Sequence, residues 1–175
     1  ELWSVDVGNG QGQGLYRLQP AMNGDALYAA SADGEVVAVD RSNGKTRWEV
    51  DLETSLSGGV GVFEDTVLLG SSEGFVIKLD ASSGAQLWST PLGGEILSAP
   101  QSDGGMVIAQ TYNGKLQGLD FDTGKLLWTY DSNVPVLTVR GTSTPIMRNG
   151  RVFVGFANGR VLAFDVATGA IVWEV

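Results

Sequence analysis

The chain has no cysteine and no histidine. The first absence excludes disulfides, thiolate nucleophiles and cysteine-based metal sites. The second removes the commonest general base and the commonest metal ligand. Positive charge is scarce: 11 lysines and arginines stand against 20 aspartates and glutamates, a net charge of −9. The basic residues form no run or stripe, so the footprint of a nucleic-acid or anionic-lipid binder is missing. No apolar run approaches the roughly 18 residues of a membrane helix, and no stretch has the pattern of a secretory signal peptide. Serines are many, but none has a lysine or carboxylate placed beside it in a nucleophile signature. Acidic neighbours such as Glu64 and Asp65 fall at expected turns, where carboxylates are solvated. Catalysis finds no support in these residues.

What the chain has in excess is glycine, 25 of 175 residues, and much of it recurs at fixed places. Asp40…Gly44…Trp48, Asp80…Gly84…Trp88, Asp120…Gly124…Trp128 and Asp165…Gly169…Trp173 all read Asp-x-x-x-Gly-x-x-x-Trp. The tryptophans are spaced by 40, 40 and 45 residues, and Trp3 lies 45 residues before Trp48. A period of about 40–50 residues marks a repeat array or a propeller.

Each repeat divides into four short strands, A to D from the inside outward. In the first, strand A lies around Gln19 to Met22, B is Ala26 to Ser31, C is Glu35 to Asp40 and D is Thr46 to Val50. Asp33-Gly34 and Asn43-Gly44 supply the turns and are expected as type I′ pairs, with positive φ at both residues. The second repeat runs Gly58 to Phe63, Thr66 to Ser71, Phe75 to Asp80 and Gln86 to Thr90. The third runs Ala99 to Ser102, Met106 to Thr111, Lys115 to Asp120 and Leu126 to Tyr130. The fourth runs Thr144 to Arg148, Arg151 to Ala157, Arg160 to Asp165 and Ile171 to Val175. Four-stranded units repeated radially are propeller blades. The expected fold is therefore all-β: a β-propeller of four four-stranded antiparallel blades. Residues 1–5 form the outer strand of a preceding or closing blade, and the blades span 6–50, 51–90, 91–130 and 131–175.

Alternating strand direction puts the D-to-A and B-to-C connections on one face and the others on the opposite face. Two D-to-A connections are longer than the rest. One precedes Pro20; the other, Asp131 to Thr142, is apolar at Val136, Leu137 and Val139. Leu137, Val139 and Arg140 combine apolar anchors with an arginine, a composition typical of docking hot spots; the alternative is a loop folded over its own blade.

The repeated Asp is expected as a turn residue whose carboxylate accepts backbone N–H groups two residues on, and not as a metal ligand. The repeated Gly is expected in the left-handed conformation, and the Trp as a wedge between blades. Gly8 to Gly14 lacks the Lys-Ser/Thr and helix of a phosphate loop and reads as a flexible connection.

Asp120-Phe-Asp-Thr-Gly-Lys-Leu-Leu-Trp128 and Ala163-x-Asp165-x-x-Thr-Gly169-x-x-x-Trp173 resemble the quinoprotein (PQQ-type) propeller repeat. Trp3-Ser-Val-Asp-Val-Gly8, Tyr16-Arg-Leu-Gln-Pro-Ala21, Ser57-Gly-Gly-Val60, Gly94-Glu-Ile-Leu-Ser-Ala-Pro100 and Leu137-Thr-Val-Arg-Gly-Thr142 are similar to landmarks of one branch. That branch is the propeller lipoproteins of the bacterial β-barrel assembly machinery. The resemblance implies a non-enzymatic scaffold, an eight-bladed ring of which this chain is about half, and a place at the periplasmic face of the outer membrane. It implies an N-terminal lipidated cysteine as the only membrane attachment, which this chain lacks. The implied partner is a POTRA domain of BamA, the barrel-inserting subunit, bound through a Leu-x-Leu-Arg loop. The matching positions are Leu137, Val139 and Arg140, with Val for the second Leu; the family's further acidic docking residues belong to later blades.

Two other readings stay open: a PQQ-dependent dehydrogenase-type fragment, and a generic interaction module whose blade edges receive unfolded outer-membrane strands. The dehydrogenase reading needs a calcium site and, in many members, a vicinal cysteine pair, so no cofactor is expected. A closed four-bladed ring is within the propeller range. Glu1 to Val5, an outer strand without inner strands of its own, argues instead for an incomplete ring able to self-associate through open edges.

Overall fold

The computed structural model describes residues 3–12, 16–132 and 141–175. Among them are seventeen strands and no helix. They group into four sheets, each with its strands in sequence order from the centre outward. Blade 1 is β2 (Ala21–Asn23), β3 (Ala26–Ala30), β4 (Glu35–Asp40) and β5 (Thr46–Asp51). Blade 2 holds β6 (Leu56–Phe63), β7 (Thr66–Ser71), β8 (Phe75–Asp80) and β9 (Gln86–Pro91). Blade 3 is β10 (Gln101–Ser102), β11 (Met106–Gln110), β12 (Lys115–Asp120) and β13 (Leu126–Asp131). Blade 4 is β14 (Ile146–Arg148), β15 (Arg151–Gly155), β16 (Val161–Asp165) and β17 (Ile171–Glu174). All pairs within these four-strand sets are antiparallel.

Blade 2 departs from the expected four strands. A short strand, β1 (Arg17–Leu18), joins its inner edge in parallel, with Arg17 opposite Gly58 and Leu18 opposite Gly59. Gln19 continues the pairing: its N–H donates to Gly59 O and its carbonyl accepts from Val60 N–H, both at 2.9 Å. The long connection before Pro20 thus ties the entry to blade 1 onto blade 2, and Leu18 is buried in their shared core. The glycines of β6 make room: a Cβ on Gly58 would lie 2.5 Å from the Ile96 carbonyl oxygen, and one on Gly61 2.2 Å from that of Pro100. Backbone from three segments converges there.

The turns also differ from type I′. Asp33 and Asn43 keep negative φ, and only the following glycines, Gly34 and Gly44, lie at positive φ. Gly34 N–H reaches Ser31 O, and Gly44 N–H reaches Asp40 O. The first is a four-residue turn and the second a five-residue turn, each with one left-handed glycine, and every C–D ladder has a register shift where a bulge absorbs an extra residue. Both residues take positive φ at Asn149-Gly150, between β14 and β15.

Apolar side chains lie mainly between blades. One core joins blades 1 and 2 (Tyr28, Val36, Leu56, Leu69, Leu79). A second joins blades 2 and 3 (Leu68, Val76, Ile96, Val107, Leu119). A third joins blades 3 and 4 (Ile108, Leu116, Val154, Leu162, Phe164). In blades 2 and 3, strands B and C are buried on both faces, and most of their sequences are accordingly near-continuous apolar runs. Strands D alternate, with only Trp and the residue two beyond it turned inward. On the far side of blade 4, Val161 and Trp173 hold the places that Leu116 and Trp128 hold in blade 3, and they are exposed.

Candidate functional site

The repeated motif closes the blade interfaces. Four of the five indole N–H groups donate to a backbone carbonyl of the next blade, one residue past the repeated Asp. Trp3 reaches Arg41 O at 3.2 Å and Trp48 reaches Ala81 O at 2.8 Å. Trp88 reaches Phe121 O and Trp128 reaches Val166 O, both at 3.0 Å. The same ring lies on the glycine of that next blade. A Cβ would stand 2.7 Å from the Trp3 indole at Gly44 and 2.7 Å from Trp48 at Gly84. It would stand 2.6 Å from Trp88 at Gly124 and 2.6 Å from Trp128 at Gly169. The glycine is therefore needed twice, for its backbone (φ from +68° to +74° at the four positions) and for the flat surface it offers. The wedge role expected of the tryptophans holds for Trp3, Trp48, Trp88 and Trp128; Trp173 packs on Phe153 within its own blade. Of residues 1–5, expected as an outer strand, the described ones, 3–5, are not paired in a sheet, yet Trp3 docks like the others.

Each repeated carboxylate is consumed by its own turn. Asp40 accepts from Ser42, and Asp80 from Ser82 and Ser83. Asp120 accepts from both the amide and hydroxyl of Thr123, and Asp165 does the same with Thr168. The reach is two residues in blade 1, two and three in blade 2, and three in blades 3 and 4. Donated hydrogen bonds stabilise the charged form, so all four pKa values lie below the ordinary aspartate range. Asp40, held by the Ser42 hydroxyl and by Arg47 at 2.9 Å, falls to about 2. Because the folded value lies below that of the unfolded chain (about 3.9), this stabilisation is present above pH ~4 and is lost as pH falls toward ~2. Thermal melts across that window are expected to show a falling midpoint, with a shallower slope in Asp40→Asn. Identical slopes would show that the turn carboxylate plays no part.

One interface carries a residue that the repeat did not announce. In strand C the position opposite Trp is Ala38, Gly118 or Ala163 in three blades and Lys78 in blade 2. Lys78 is buried. Its ammonium donates to Phe121 O at 2.8 Å and sits 3.3 Å from the centre of the Phe121 ring. Burial lowers its pKa, opposed by Asp122 and Asp120. The signal was a long cation in a column of small residues.

The D-to-A and B-to-C connections do share a face and lock together. Leu52, Leu92 and Ser132 donate their amides to Gly34, Gly74 and Gly114, the glycines of the B–C turns. The next blade then reaches back, Asn113 to Gly93 O at 3.2 Å and Asn158 to Ser132 O at 3.1 Å. The Gly8–Gly12 stretch, expected to be loose, is engaged in the same way: Ala32 N–H donates to Gly10 O at 2.7 Å, and Asn9 binds Asp33. The candidate docking residues Leu137, Val139 and Arg140 lie outside the described residues. Their flanks are held firmly. Ser132 donates its hydroxyl to Gly114 O at 2.8 Å. Ser143 donates its own to Gly155 O at 2.8 Å and accepts from Gly155 N–H at 3.0 Å. A groove of about 300 Å³ between blades 3 and 4, lined by Gln110, Tyr112, Thr142, Ser143 and Phe156, adjoins the C-terminal flank.

This geometry is matched among known proteins. A family model described as outer membrane protein assembly factor BamB matches residues 1–55 and 32–175. A protein of that name from Pseudomonas aeruginosa is 45% identical over 98% of this chain and 45% of its own length. The crystal structure of BamB from Moraxella catarrhalis superposes with a TM-score of 0.85 at 34% identity, covering 89% of this chain and 47% of that one. The chain thus spans less than half the length of these relatives. A quinohemoprotein alcohol dehydrogenase from Comamonas testosteroni superposes at 0.71 with 18% identity, over 89% of this chain and 34% of that one, and shares the fold alone. The indole staple runs through every interface over which the family model extends, and the chain belongs to the BamB family of outer membrane protein assembly factors.

Proposed function

We propose that the chain is part of a non-enzymatic scaffold subunit of the outer-membrane β-barrel assembly machinery. It sits at the periplasmic face of the outer membrane, docks a POTRA domain of BamA and assists the insertion of outer-membrane proteins. The family membership carries this reading. The stapled blades form a rigid base, and the docking residues Leu137, Val139 and Arg140 belong to the D-to-A connection between blades 3 and 4. Anchored flanks at Ser132 and Ser143 limit the ordering entropy that an inserted loop loses on binding.

Arg140→Glu in the full-length protein is the direct test. It is expected to weaken BamA pull-down by about 1–3 kcal/mol, with the far-ultraviolet spectrum and melting midpoint unchanged. Undiminished capture of BamA would refute the assignment of this loop.

A further inference from the structure

The side chains that lock one unit to the next at the B–C turns do not all titrate. In blades 3 and 4 the residue before the turn glycine is an asparagine, Asn113 or Asn158. Its neutral amide donates to a carbonyl of the preceding connection. The equivalent residue of blade 1 is Asp33, and there the polarity is reversed. Asn9, on the segment that precedes blade 1, donates its side-chain amide to Asp33 Oδ2 at 2.7 Å and its backbone N–H to the same oxygen at 3.3 Å. One residue earlier, Gly8 N–H donates to Glu35 Oε1 at 2.8 Å. Two carboxylates thus hold a place that neutral amides hold in blades 3 and 4.

The segment they hold lies as a strap along β4. At one end Trp3 sits on Gly44 and donates to Arg41 O. At the other, Gly8 and Asn9 meet Glu35 and Asp33. Trp3, Val5 and Val7 are half-buried while Ser4 and Asp6 are exposed, the alternation of an extended chain with one face down. On β4, Val36 and Ala38 belong to the core shared with blade 2; Val37 and Val39 point the opposite way and are also buried. Residues 3–7 nevertheless pair with no strand. The strands that carry Trp48, Trp88 and Trp128 are each held in a ladder of their own blade. Without a ladder, the strap depends on its end contacts.

We infer that residues 3–10 form an acid-released strap: protonation of Asp33 and Glu35 frees it from blade 1 before the junctions between blades open, and so uncovers the Gly44 seat. The Ser31 hydroxyl, and after it the two Asn9 groups, hold Asp33 below the ordinary aspartate range. That stabilisation is in force above the unfolded value of about 3.9 and is lost as pH falls through the folded one. Charged residues on the surrounding elements are acidic as well: Asp6 on the strap, Asp51 opposite Glu35 in the β4–β5 ladder, and Glu53 just beyond it. The basic groups Arg41, Lys45 and Arg47 belong to the other end of β4. The turn carboxylates Asp40, Asp80, Asp120 and Asp165 also lose their charge in acid, but they serve every C–D turn alike and do not single out the strap.

Hydrogen exchange of the indole N–H groups in the 175-residue chain, followed by NMR from about pH 6 to about pH 3, reads the strap directly. The ratio of Trp3 protection to Trp48 protection cancels the intrinsic pH dependence of indole exchange. It is expected to fall as the pH drops, while the ratios among Trp48, Trp88 and Trp128 hold steady. In Asp33→Asn combined with Glu35→Gln, the Trp3 ratio is expected to stay flat across the range, at whatever level it starts. Asp6→Asn, a control on the strap itself, is expected to keep the fall. Should the double variant fail to fold, which the other indoles report, Asp33→Asn alone carries the test and is expected to shrink the fall. A constant Trp3 ratio in the unaltered chain, or a fall of the same size in the folded variant, overturns the inference.

Discussion

Gly124→Ala is expected to destabilise the protein by about 2–5 kcal/mol. Two costs add. Holding an L-residue at φ +68° costs about 1–2 kcal/mol. Forcing a methyl group to within 2.6 Å of the Trp88 ring, with the Thr90 hydroxyl at 2.8 Å, costs about 1–3 kcal/mol more. Gly159→Ala separates the two, because Gly159 lies at φ +84° with nothing within 4 Å of its would-be Cβ; it should cost only the first, about 1–2 kcal/mol. Urea unfolding of both variants makes the comparison. Equal losses would mean that the indole yields, and that the staple is looser than its geometry. A cycle with Trp88→Ala should show strong coupling, since the second alanine has nothing left to strike.

Phe164→Ala is expected to cost about 3–5 kcal/mol, and to act locally. Phe164 is fully buried and meets Trp128, Tyr130 and Phe156, with ring centres 6.5, 4.9 and 6.4 Å away. Its core joins blades 3 and 4 only, while two other cores hold blades 1, 2 and 3 together. Repeats that touch only their neighbours respond to damage near the lesion. Hydrogen exchange is expected to accelerate in β14 to β17 well before β6 to β8. A uniform rise across all blades would show that the four sheets unfold as one unit.

Much of this architecture was legible in the sequence because side-chain periodicity and turn residues write it down. Strands β4, β8 and β12 fall where the short, largely apolar stretches between a B–C glycine and the repeated Asp put them. The inner strands are less legible. β10 and β14 are shorter than expected, and each begins directly after a proline, Pro100 or Pro145, which has no N–H to give to a ladder. β1 was invisible: two residues carry no period, and its partner is a glycine backbone. The type I′ reading of Asp33-Gly34 and Asn43-Gly44 went too far, because a single glycine in a bulge produces the same dipeptide. The tryptophans announced themselves as interface residues, but their acceptors, the carbonyls of Arg41, Ala81, Phe121 and Val166, are backbone atoms with no side-chain signature. The docking residues were legible only as a composition, apolar anchors and an arginine on a long connection, and through the family resemblance.

The staple splits its two halves between successive repeats: the indole ends one and the glycine seat belongs to the next. Copying one whole unit in tandem therefore copies a plug and a socket together, and every new junction closes without further change. Such a ring can lengthen by gene duplication in single steps. A point mutation that spoils one socket, in contrast, strands a plug contributed by an unaltered neighbour, so selection on any repeat is exerted partly through the repeat before it.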